Sequence, residues 1–87
     1  MDPMTVELLT REGCQMCATA RRDLTRICGE LGIEFTEVDV DRAAADGRPE
    51  IRAEYGDRLP VVLLDGDEHS YWEVDEPRLR TDLARRG

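Results

Sequence analysis

Lysine is missing from this chain of 87 residues: all twelve basic side chains are arginine, against twenty acidic ones, for a formal net charge of −8. A surplus of negative charge disfavours nucleic acid and anionic membrane surfaces as partners, so neither is expected. The absence of lysine itself reads as a compositional bias and decides nothing about activity. Aromatic side chains are few, one Trp, one Phe and two Tyr. No run approaches the roughly 18 apolar residues of a membrane span. The start, MDPMTVELLT, has neither a basic leader nor an apolar stretch of signal-peptide length, which leads to the expectation of a cytoplasmic protein. Three cysteines in a reducing compartment point to catalysis, metal binding or simple burial ahead of a structural disulfide framework.

What is present fits one domain, residues 1–87, with too little chain for a deep and separate substrate pocket. A chain of this length buries about 60 to 65% of its unfolded surface, so chemistry belongs near the surface of a compact core.

Hydrophobic periodicity sets the element order. Met4 to Thr10 is β-prone and predicts a first strand. From Cys17 onward, Ala20, Leu24, Ile27, Cys28 and Leu31 recur at helical spacing, and Gly32 supplies a stop. Ile33 to Val40 predicts a second strand whose alternation slips phase between Phe35 and Val38. Asp41 to Asp57 reads as a loop with one short helix over Pro49 to Tyr55. Leu59 to Leu64 is a continuous apolar run ending at Asp65-Gly66, an interior strand entering a tight turn, with Glu68 to Val74 returning antiparallel. Asp75 or Glu76 caps a last helix that carries Leu79 and Leu83 and ends at Arg85, Arg86 and Gly87. The expected architecture is therefore α/β, in the order β-α-β-α-β-β-α: a four-stranded mixed sheet flanked by three helices.

The chemistry concentrates in TREGCQMCATARRD, residues 10–23. A zinc site drawn from Cys14, Cys17, Cys28 and His69 has the right donor types but the wrong geometry. Eleven residues of continuous helix put Cys28 ~16 Å from Cys17 along the axis. His69 follows the Asp65-Gly66 turn, at the end of the hairpin away from Cys14. No metal site is therefore expected. Cys28 reads as a small apolar residue on the buried helix face, and His69 as a hairpin side chain exposed to water.

The remaining pair stands directly after a strand and at the start of an amphipathic helix, the context that gives C-x-x-C a mechanism. Free amide groups and the positive helix end stabilise a thiolate at the first cysteine. Cys14 is thus the candidate nucleophile, and Cys17, one turn on and on the Ala20–Leu24 side, the resolving thiol.

The element order, GCQMC after the first strand, EVDVD at the end of the second and RLPVVLLDG before the hairpin together resemble the glutaredoxin-like branch of the thioredoxin fold. That resemblance spans almost the whole chain. It implies a cis bond between Leu59 and Pro60, facing the cysteine pair, with the Leu59 backbone pairing with the bound thiol substrate. It gives Arg11, where a lysine is usual, and Asp75 roles in substrate binding. Gln15 and Met16 replace the Pro-Tyr usual between the cysteines, and Glu73-Val74-Asp75 stands where glutaredoxins carry a glycine pair.

The implied function is thiol-disulfide exchange on protein or small-molecule disulfides, carried by the Cys14–Cys17 pair with no other cofactor. The motif and GDEH also resemble small redoxins reduced by thioredoxin reductase, so the expected electron donor is that enzyme or a low-molecular-weight thiol, and the expected state is a monomer. Two alternatives of other classes are a dimer holding a [2Fe-2S] cluster through Cys14, and a non-catalytic adaptor using Tyr71-Trp72 as its contact.

Overall fold

The computed structural model describes residues 5–86. Its elements are β1 (Val6–Thr10), α1 (Gln15–Leu31), β2 (Phe35–Asp39), α2 (Val40–Ala45), α3 (Pro49–Tyr55), β3 (Val61–Leu64), β4 (Asp67–Tyr71) and α4 (Glu76–Arg86). The strands form one mixed sheet in the order β2-β1-β3-β4, parallel between β1 and β2 and antiparallel across the other two pairs. The expected start of β1 at Met4 and the expected helix end at Gly87 lie outside the described residues.

Two apolar clusters fix the layers. Val6 and Leu8 of β1 pack with Ala20, Leu24, Ile27 and Cys28 of α1, Val62 of β3, and Leu79 and Leu83 of α4. Leu9, Val61 and Leu63 project to the other side, where Val40, Ile51 and Tyr55 of α2 and α3 cover them. Alternate residues of one strand thus face opposite helical layers, as the two-residue period requires. Residues fully buried this way contribute about 1.5–3 kcal/mol each for Leu- or Val-sized side chains.

The described residues form four helices rather than three. The segment read as loop after β2 opens with α2, because Asp39 accepts hydrogen bonds from the amides of Asp41 (2.9 Å) and Arg42 (3.1 Å) and so caps a helix start. Val40, expected as the last residue of the second strand, is the first of this helix and is buried against Leu9 and Val61. The phase slip in β2 also has a cause. Phe35 and Val38 belong to opposite layers, and Glu37 takes an α1-facing position where its charge is met by Arg21 and Thr10.

Two further boundaries and one side chain differ from expectation. The third strand begins at Val61, since Pro60 has no amide proton to give a ladder, and the Leu59–Pro60 bond is cis. β4 ends at Tyr71 instead of Val74, because Trp72 leaves the extended region with φ 70°. His69 is not exposed to water. The β3–β4 register shifts between Val62 and Leu63, leaving His69 as the extra residue of a bulge. Its side chain is 6% exposed, with Nε2 2.7 Å from the Asp82 carboxylate of α4. Asp65-Gly66 does form the expected tight turn, with both residues at positive φ.

Candidate functional site

Sheet register brings the functional segments to one end of the molecule. β1 runs antiparallel to β3 with Leu9 opposite Val61, so Thr10 and Pro60 lie at the same end. β2 delivers Asp39 there beside Thr10, and β4 delivers Tyr71 opposite Val61. The Trp72 amide then donates to the Pro60 carbonyl at 2.8 Å, tying the end of β4 to the proline loop.

Between β1 and α1 the chain makes one tight turn. Gly13 sits at φ 81°, a conformation that costs a side-chain-bearing residue about 1–2 kcal/mol. The Cys14 amide donates to the Arg11 carbonyl at 3.3 Å. Cys14 is the N-cap of α1, with φ −91° and ψ 113°, and its sulfur accepts the Cys17 amide at 3.1 Å. A cysteine here does the capping work usually given to Ser or Asp. No acidic residue stands in the first turn of α1 to oppose negative charge on that sulfur.

The two thiols differ in access. Cys14 is partly exposed, whereas Cys17 is fully buried; the three cysteines are free thiols. Burial, and then the hydrogen bond with Cys14, push the Cys17 thiol up to about 11. A hydrogen bond from the Arg11 backbone and the charge of Arg21 act against that rise. Cys28 lies about three turns further along α1, in the main core, its thiol also raised by burial, which matches its expected packing role. Among the described residues no group of three or more His, Cys, Asp or Glu side chains is arranged to hold a metal ion.

Gln15 and Met16 occupy the outer side of the first turn, and Met16 is half exposed. Leu59 and Pro60 are at the same sheet end as Cys14 by register. Arg11 is engaged by the chain itself: its Nε and Nη2 reach the two Asp41 carboxylate oxygens at 2.8 and 3.2 Å. The pair raises the Arg11 guanidinium and lowers the Asp41 carboxyl from their ordinary values. Asp75 precedes α4 and accepts the Arg78 amide at 3.3 Å. Tyr71 and Trp72 are about half exposed and meet edge to face, with ring centroids 5.0 Å apart.

Residue patterns alone did not single out Arg21, Glu37, Thr10 or Asp41. Arg21 lies four residues after Cys17, a helical spacing that does place the two on neighbouring turns. Its guanidinium contacts both Glu37 oxygens at 2.6 Å, and Glu37 also accepts the Thr10 hydroxyl at 2.9 Å.

Comparison with known proteins agrees with this architecture. Residues 5–84 match the family described as Glutaredoxin-like domain (DUF836). The uncharacterized protein Rv0508 of Mycobacterium tuberculosis (strain ATCC 25618 / H37Rv) is 61% identical over 80 residues, covering 92% of this chain and 82% of that protein. Among solved structures, protein Ne2328 from Nitrosomonas europaea superposes with a TM-score of 0.76 at 21% identity, over 95% of this chain and 94% of that one. The holo form of glutaredoxin C1 from Populus tremula x tremuloides superposes with a TM-score of 0.61 at 20% identity, over 95% and 75% respectively. These structural likenesses carry the fold, and with the match along nearly the whole chain they lead to one assignment: the chain belongs to the glutaredoxin-like domain family of the thioredoxin fold.

Proposed function

We propose that the protein is a thiol-disulfide oxidoreductase working through the Cys14–Cys17 dithiol. The observation that carries this reading is the Cys17 amide aimed at the Cys14 sulfur at 3.1 Å, on a helix N-cap that is open to solvent on one side and backed by a buried second thiol. A donor in that position favours negative charge on sulfur, which attack on a disulfide requires.

The reaction balances in two steps. The Cys14 thiolate attacks one sulfur of the substrate disulfide, forming a mixed disulfide and releasing the other sulfur as a thiolate that takes up a proton. Cys17 loses its proton and attacks the Cys14 sulfur, giving the Cys14–Cys17 disulfide and releasing the second substrate thiol. Two electrons and two protons pass from the dithiol to the substrate. A thioredoxin reductase or a low-molecular-weight thiol then returns the pair to the dithiol.

The burial of Cys17 fits the second role, since a thiol raised to about 11 stays protonated and silent until the mixed disulfide places its target beside it. In this reading Leu59 and Pro60 shape the groove that receives the substrate, and Gln15 and Met16 form its outer lip. The protein acts as a cytoplasmic monomer. Single-turnover reduction of bis(2-hydroxyethyl) disulfide by the prereduced protein tests the assignment. Cys14→Ser is expected to abolish turnover, and Cys17→Ser to stop at a mixed disulfide visible by mass spectrometry. Equal rates for wild type and Cys14→Ser would sink it.

A further inference from the structure

Two positions near the cysteine pair offer a hold for an anionic substrate, and both are occupied by carboxylates of the chain itself. Arg11 is three residues before Cys14, whose amide donates a hydrogen bond to the Arg11 carbonyl, yet the Arg11 guanidinium is closed over both oxygens of Asp41, which also lies 3.6 Å from Arg52. The N-terminus of α4 has the Asp75 carboxylate on the Arg78 amide and Glu76 in its first turn.

The charge left over at this end is negative: Arg11 and Arg52 share Asp41 and keep one positive charge, against the carboxylates of Asp39, Glu12 and Glu73. Glu12, two residues before Cys14, and Glu73, the residue after Trp72, are both exposed, and neither has an ion-pair partner among the described residues. The chain as a whole carries −8. The exposed Gln15, Met16, Tyr71 and Trp72 there are uncharged and indifferent to the sign of a substrate's charge.

We infer that this site selects its disulfide by charge, taking cationic and neutral disulfides ahead of anionic ones, with the Arg11–Asp41 pair as the element that withholds a cation on the turn before Cys14. The inference rests on the reading of Cys14 and Cys17 as an exchange centre and specifies the substrate class of that centre. The chemistry of the two steps is unchanged. Only the approach of the disulfide and the departure of its thiolate feel the surrounding charge.

At about 6 Å in a high-dielectric setting, one unit charge changes the attack rate by about threefold, so a doubly charged disulfide differs from a neutral one by about tenfold. Three small disulfides of similar length provide the measurement: cystamine as the dication, bis(2-hydroxyethyl) disulfide as the neutral member and dithiodiglycolate as the dianion. Each single-turnover rate with the prereduced protein is divided by the rate of the same disulfide with dithiothreitol, which removes intrinsic reactivity.

The expected normalised order is dication, neutral, dianion, spaced by about tenfold at low salt and converging near 1 M salt, where screening acts within ~3 Å. Asp41→Asn removes one negative charge, frees the Arg11 guanidinium and is expected to raise the dianion-to-neutral ratio by up to about tenfold. Equal normalised rates, a dianion that is fastest, or ratios that ignore salt would overturn the inference. A dianion-to-neutral ratio unmoved by Asp41→Asn would overturn the part assigned to Arg11 and Asp41. Failure of all three disulfides to react in a Cys14-dependent way would instead remove the exchange reading beneath it.

Discussion

Arg21 and Glu37 face each other with both guanidinium–carboxylate contacts at 2.6 Å, joining α1 to β2 one helical turn below Cys17. Thr10, the buried last residue of β1, donates to the same carboxylate at 2.9 Å, so three elements meet at this point. The fork fixes the position of a cation whose charge lowers the Cys17 thiol against the rise imposed by burial. Arg21→Gln is therefore expected to slow resolution of the mixed disulfide by about twofold, a small effect because burial and the Cys14 hydrogen bond outweigh the Arg21 charge at Cys17. Arg21→Lys keeps the charge and recovers most of that rate. Quenched-flow trapping of the mixed disulfide, read by mass spectrometry, gives the resolution rate. A further readout is spectroscopic titration of the thiol in a Cys14→Ser, Cys28→Ala background. An unchanged ionisation of Cys17 in Arg21→Gln would show that the pair is only structural.

Burial of two thiols also sets a limit on alkaline stability. Cys17 is raised to about 11 and Cys28 is raised by burial, relative to about 8.5 for a free thiol in the unfolded chain. A group whose folded-state value lies above its unfolded value contributes stability that is intact below the unfolded value and is lost as pH rises toward the folded one. The reduced protein is thus expected to lose stability progressively from about pH 8.5 toward 11. Urea denaturation across pH 7 to 10.5 checks this, and Cys28→Ala should make the decline shallower. A flat profile in the reduced protein would contradict it.

The sequence carried the strand-helix alternation because both core faces are written in spaced Val, Leu and Ile residues. It also carried the helix end, where Gly32 takes φ 69° and Ile33 donates back to the Cys28 carbonyl at 2.8 Å. The pair Cys14 and Cys17 was legible because a strand ending at Thr10 and a helix pattern beyond Cys17 leave only the cap position for Cys14. What was hidden depends on partners distant in sequence. The α2 helix is too short to show a period and exists through the Asp39 cap and the burial of Val40 and Ala43. His69 looked like a solvent-facing hairpin residue because the bulge that turns it toward Asp82 arises from strand register. The substrate-binding role implied for Arg11 takes no account of Asp41, which lies thirty residues later in the chain and closes on its guanidinium.

On the acid side the clearest group is Glu76, whose carboxyl is held down at about 2 by hydrogen bonds from Arg26 and Arg80. Those contacts link α4 to α1 through Arg26 at 2.8 and 3.0 Å. A carboxyl lowered in the folded state contributes stability that is present above the unfolded value of about 4.3 and is lost as pH falls toward the folded one. The expected result is that thermal stability declines between about pH 4.5 and 2 and that Glu76→Gln removes part of this decline while lowering the plateau at neutral pH. Because the pair is exposed, high salt should reduce the difference. Parallel pH profiles for wild type and Glu76→Gln would refute the assignment.

Two leucines on the same helix separate core packing from surface. Leu24 is fully buried in the cluster where α1, β1 and α4 meet, whereas Leu31 at the end of α1 is 41% exposed. Truncating a buried leucine removes its transfer free energy and leaves a cavity, so Leu24→Ala is expected to cost about 3 kcal/mol. Surface truncation at Leu31→Ala is expected to stay within about 0.5 kcal/mol. For a domain of this size total stability is of order 5–10 kcal/mol, so Leu24→Ala should lower the thermal midpoint by more than about 10 °C yet leave the Cys14–Cys17 geometry in place at 20 °C. Thermal unfolding of both variants, with the single-turnover rate measured at low temperature, gives the answer. Similar midpoints for the two variants would place the core elsewhere than the α1–β1–α4 cluster.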